Sequence, residues 1–90
     1  MINYIYFLNG NFVNASEALI PISDRGLLFG DGIFTTMRVK DGRIEFWKEH
    51  LTRLKMHCEK IGITSPDIDP AYLIELVKSN QAIKGIFRLK

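Results

Sequence analysis

Two hydrophobic periods divide this chain. Short runs alternate apolar and polar positions, and longer runs repeat an apolar position every three or four residues. Tyr4-Ile5-Tyr6-Phe7-Leu8 is aromatic and β-branched, a composition that favours a strand. Asn9-Gly10 is the pair that closes a two-residue hairpin, and Asn11-Phe12-Val13 returns with Phe7 facing Phe12 and Tyr6 facing Val13. Ala15 to Pro21 is a connection, with a short turn over Glu17-Ala18-Leu19-Ile20 that Pro21 stops. Ser23-Asp24 caps one helical turn through Phe29, which Gly30 and Gly32 end. From Ile33 to Lys40 the period is two. Ile33, Thr35, Met37 and Val39 point one way; Phe34, Thr36, Arg38 and Lys40 point the other. Asp41-Gly42 sets a second hairpin, with Val39 across from Ile44 and Arg38 across from Glu45. The first pair is core, and the second is an opposite-charge pair worth about 0.2–1 kcal/mol.

At Trp47 the period lengthens. Trp47, Leu51, Leu54, Cys58 and Ile61 form one apolar stripe of a helix, and Gly62 is placed to stop it. His50, Arg53 and His57 fall together on the flank beside that stripe. Asp69 and Pro70 are a cap and a first helical residue. A second helix continues from Tyr72 to Ser79, with Leu73, Leu76 and Val77 inward and Asn80 ending it. Gly85 to Lys90 alternates again, and the sequence stops inside that strand pattern. The expected fold is α+β: an antiparallel sheet from two β-hairpins plus a last strand, with two helices packed on one face. An unpaired last strand would be an association hazard. Residues 1–90 make a single domain, with no internal repeat, low-complexity segment or linker.

Composition narrows the function classes. Ninety residues allow one domain at most. An apolar share of 47% with 24% charged residues argues against disorder. A net charge of +2 without a basic run is no nucleic-acid footprint. The single cysteine, Cys58, rules out an intrachain disulfide and points to a reducing compartment. No basic region and apolar core follow Met1 as a leader would require, and no apolar run approaches the roughly 20 residues that span a bilayer. The expectation is a cytoplasmic protein without nucleic-acid or membrane partners.

Five groups of residues are weighed for chemistry. Arg53 carries a planar, always-charged fork that matches phosphate oxygens, on a helical position that reaches inward; the alternative is a solvated surface arginine. Phe34, Thr36 and Arg38 suit a pocket wall; the alternative is that Phe34 is core and Arg38 only pairs with Glu45. His50 and His57 are separated by about 10.5 Å of helix rise, too far for one ion without other ligands, so no metal is expected. Cys58 is a small core residue. Gly30-Asp31-Gly32 lacks the spacing of a dinucleotide loop and precedes a strand rather than a helix. It reads as a bend that delivers Phe34 to its face.

The words S-D-R-G-x-x-F-G-D-G-x-F-T-T (residues 23–36), then D-G (41–42) and E-H-L-x-R-L (49–54), occur in order. This pattern, from about Tyr6 to Ile61, resembles the start of a fold-type IV pyridoxal-phosphate enzyme. That family holds branched-chain and D-amino-acid aminotransferases and aminodeoxychorismate lyase. The resemblance implies an N-terminal small domain of a homodimeric enzyme with an amino-acid-like substrate. It implies that Arg53 binds the phosphate of pyridoxal 5′-phosphate and that Phe34, Thr36 and Arg38 line the substrate pocket. Phe34-Thr35-Thr36 resembles the lyase, where aminotransferases often carry a glutamate after the aromatic. Alternatives are a branched-chain or D-amino-acid aminotransferase, or a non-enzymatic binding or dimerisation module. Such an enzyme needs a lysine for the internal Schiff base. Lys40, Lys48, Lys55, Lys60, Lys78, Lys84 and Lys90 all read as solvated, and in the resembled family that lysine lies in a larger C-terminal domain. The chain is therefore expected to be truncated, without catalytic residues and inactive alone.

Overall fold

The computed structural model describes residues 4–90; the opening residues from Met1, where the leader reading begins, lie outside that range. The elements are β1 (Ile5–Leu8), β2 (Asn11–Asn14), a 3-10 turn (Ala15–Glu17), α1 (Arg25–Phe29), β3 (Thr35–Lys40), β4 (Arg43–Ile44), α2 (Trp47–Ile61), α3 (Pro70–Ser79) and β5 (Lys84–Leu89). The strands divide into two antiparallel sheets, β1-β2 and β4-β3-β5.

Both hairpins keep the register that their turns dictate. Asn9 and Gly10 lie at φ 50° and 87°, and Asp41 and Gly42 at 53° and 74°. Paired positive φ values give the turn a twist matching that of its strands. Tyr6 therefore faces Val13, Phe7 faces Phe12 and Val39 faces Ile44. Beyond β4, the Glu45 N–H still donates to the Arg38 carbonyl at 2.8 Å.

β5 joins an antiparallel sheet, as the expected fold has it, but the two hairpins lie in separate sheets rather than one. It runs antiparallel to β3 over six residue pairs, from Thr35↔Leu89 to Lys40↔Lys84. β3 thus becomes the central strand of its sheet. The short turn also moves: it forms at Ala15–Glu17, and Leu19 and Ile20 are exposed. Asn14 enters that turn directly from β2, so the chain bends before the apolar pair is reached.

The core sits between β3 and the helices. Met37, Val39, Leu73, Val77 and Phe87 form one buried cluster, with Ile44, Trp47, Leu51 and Leu76 packed against it. Leu54 and Cys58 are buried on α2. Ile61 departs from the expected stripe and is 52% exposed, since burial on α2 ends one turn earlier at Cys58. There the Ile63 N–H closes on the Cys58 carbonyl at 2.9 Å and the Gly62 N–H on Glu59 at 3.3 Å. With Gly62 at φ 78° these bonds satisfy the last carbonyls of the helix. At the start of α3, Asp69 Oδ1 accepts from the Ala71 N–H at 2.9 Å, with Pro70 in the first turn.

Asn80 joins the smaller sheet to the rest. Its Oδ1 accepts from the Ile5 N–H at 2.8 Å, and its Nδ2 donates to the carbonyls of Ile5 at 2.8 Å and Leu76 at 2.9 Å. The side chain pairs with Ile5 as a neighbouring strand would. Phe7 stacks on Tyr72 at 4.8 Å between ring centroids, so β1 packs on α3. Among the described residues no helix is long and apolar enough to cross a membrane.

Met37 has no exposed surface, so its replacement reports directly on the sheet–helix core. Met37→Ala is expected to lower the unfolding free energy by about 2–5 kcal/mol and Met37→Leu by less than about 1.5 kcal/mol. Urea unfolding measures both, and equal losses would contradict a core held by packed volume.

Candidate functional site

The site forms where the first residue of β3 meets the second turn of α2. Thr35 occupies a core-facing position but carries a hydroxyl, and it is 6% exposed. A buried hydroxyl needs a partner. Its Oγ1 lies 2.7 Å from His50 Nδ1. Arg53, three residues after His50 and so on the same helical face, brings Nη2 to 3.1 Å from His50 Nδ1 and 3.5 Å from Thr35 Oγ1. No buried side-chain nitrogen or oxygen among the described residues lacks a partner.

An open groove of about 440 Å³ lies over this corner, lined by Phe34, Thr35, Thr36, Arg53, Leu54 and His57. That size falls in the range of small-molecule sites. No carboxylate lines it. The ion pairs among the described residues lie elsewhere, Arg25–Asp31 at 2.6 Å and Arg38–Glu45 at 4.0 Å. The Arg53 charge is therefore uncompensated by an acid, and hydroxyls and imidazoles surround it. This donor set suits an anion, and a phosphate in particular, because a guanidinium presents parallel N–H groups to its oxygens.

The residues singled out in the sequence fall in different places. Phe34, Thr36 and Arg53 come together at the groove. Arg38 lies further along the same strand face, with its Nε turned to Glu45 Oε2 at 4.0 Å. Phe34 is 62% exposed, and the Arg88 guanidinium stands 5.7 Å from its ring centroid. The lysines are all exposed. Thr35 was missed as a site residue because it belongs to the core-facing row of β3. The signal was there: it is the one hydroxyl among Ile33, Met37 and Val39.

The glycine-rich stretch delivers Phe34. Asp24 Oδ2 caps α1 by accepting from the Leu27 N–H at 3.1 Å. Gly30, at φ 68°, ends the helix, and Arg25 Nε holds Asp31 Oδ2 at 2.8 Å across the bend. The chain leaves that bend directly into β3.

Comparison with known proteins identifies the family. The family model for amino-transferase class IV matches residues 32–86, and the chain belongs to that family, the fold-type IV pyridoxal-phosphate enzymes. A D-alanine aminotransferase of Staphylococcus epidermidis is 38% identical over 87 residues, which cover 88% of this chain and 29% of that protein. A D-alanine aminotransferase of Staphylococcus aureus is 36% identical over 92 positions, covering 93% of this chain and 31% of that one. The crystal structure of 4-amino-4-deoxychorismate lyase from Pseudomonas aeruginosa superposes with a TM-score of 0.59 at 32% identity, over 80% of this chain and 26% of that one. The chain thus spans less than a third of the length of these relatives.

Phe34 lines the groove without entering the core. Phe34→Ala is expected to change the unfolding free energy by no more than about 0.5 kcal/mol. A core phenylalanine would lose about 3–5 kcal/mol on the same change. Urea unfolding separates the two, and a loss in the larger range would return Phe34 to the core.

Proposed function

We propose that this chain is the N-terminal small domain of a pyridoxal-phosphate enzyme and holds the cofactor by its phosphate at Arg53. The observation that carries this reading is the acid-free groove around a guanidinium that makes no ion pair among the described residues. Arg53 donates charge-assisted hydrogen bonds to the phosphate. His57 adds a polar flank, and Leu54 closes the groove on its apolar side. Phe34 and Thr36 wall the substrate side. Arg38 extends that wall toward the hairpin. When bound, the cofactor supplies an electron sink for the substrate carbon.

The lysine that anchors the cofactor is expected outside these 90 residues, because every lysine here is solvated. A homodimer and an amino-acid-like substrate in the cytoplasm complete the reading. Phe34-Thr35-Thr36 favours a lyase like aminodeoxychorismate lyase. The second reading is a D-amino-acid aminotransferase, favoured by the 38% identity to the staphylococcal protein. Product formation without any 2-oxo acid acceptor separates them: a lyase continues and an aminotransferase stalls.

Arg53→Ala tests the phosphate assignment. Losing a hydrogen bond to a charged group costs about 1.5–3 kcal/mol, so affinity for pyridoxal 5′-phosphate should fall roughly ten- to hundredfold. A titration followed by cofactor absorbance measures it. Unchanged affinity in a folded variant would remove Arg53 from the site.

A further inference from the structure

Thr35, His50 and Arg53 close a triangle whose hydrogen-bond directions are all set by one member. A guanidinium has only donors, so at 3.1 Å from Arg53 Nη2 the His50 Nδ1 must offer a lone pair. The ring is then neutral with its proton on Nε2. The Thr35 hydroxyl, 2.7 Å from the same nitrogen, also points its hydrogen at that single lone pair, which is shared between the hydroxyl, at the shorter distance, and the guanidinium. The hydroxyl's own lone pair is left to face Arg53 Nη2 at 3.5 Å. Thr35 is buried on a central strand, so this arrangement ties the guanidinium to the sheet beside the core. Nη2 is engaged, while the N–H groups of Nη1 and Nε have no partner among the described residues.

We propose that His50 is a positioning residue for Arg53. Held by Thr35 in the Nε2–H tautomer, it fixes the guanidinium at the groove before an anion arrives. This deepens the phosphate reading and rests on it. A long, free side chain loses rotamer freedom when it binds, and His50 removes that loss in advance. Neither His50 nor Thr35 needs to touch the anion.

The test is nuclear magnetic resonance on the 15N-labelled protein, titrated with inorganic phosphate. Long-range 15N–1H correlations should show the His50 proton on Nε2. Phosphate should move the Arg53 guanidinium resonances. Thr35→Val and His50→Leu should weaken phosphate binding by at least the roughly fivefold that one net hydrogen bond is worth. Thr35→Ser and His50→Asn keep the hydroxyl and an acceptor near the Nδ1 position, and should stay within about twofold of the parent on the same scale. A proton on His50 Nδ1, which needs no variant to detect, would overturn the proposal. So would parental affinity in folded Thr35→Val and His50→Leu. A different failure, Arg53 resonances unmoved by phosphate in the parent with the tautomer as stated, would overturn the phosphate reading and the positioning role with it.

Discussion

The alternation of side chains along β3 is the constraint on which the rest depends. Met37 and Val39 are buried together with Leu73, Val77 and Phe87. Successive residues of a strand point to opposite faces, so burying those two turns Thr35 inward and Phe34 and Thr36 outward. The inward hydroxyl meets His50 on α2. The outward pair meets the groove. A slip of one residue would exchange the two sets. The second hairpin turn and the six-residue pairing with β5 both resist that slip. The same register therefore holds the core and presents the site.

Much of this was legible in the sequence because it depends on local chemistry. Asn9-Gly10 and Asp41-Gly42 set their hairpins through backbone preferences alone. The stripe of α2 and the caps at Asp24, Asp69 and Gly62 need no partner from elsewhere in the chain. Features that depend on distant residues were not legible. Asn80 reads as a helix end, yet its amide pairs with Ile5, 75 residues away. Ile61 fits the apolar period, but exposure is decided by what lies opposite the end of the helix. The split into two sheets and the pairing of β5 with β3 follow from packing around α2 and α3.

The candidate site shows the same division. Motif and periodicity point to Arg53, Phe34 and Thr36, and they share one groove. His50 and His57 were grouped with Arg53 by helical angle, but the sequence did not say that His50 would bond Arg53. Thr35 was hidden by its own pattern: a hydroxyl in an apolar row is easily counted as core, and only the structure shows which group satisfies it. Arg38 and Glu45 were paired by register, and their side chains do meet, at 4.0 Å. Fold alone does not specify chemistry. The class IV family gives the chain its relatives, and the acid-free groove gives Arg53 its proposed role.

The most direct test of that role is a crystal structure of the protein with pyridoxal 5′-phosphate bound. The account predicts phosphate oxygens at about 2.7–2.9 Å from free N–H groups of Arg53, with His50 still bonded to Thr35. A phosphate bound elsewhere, with Arg53 turned to solvent, would contradict it.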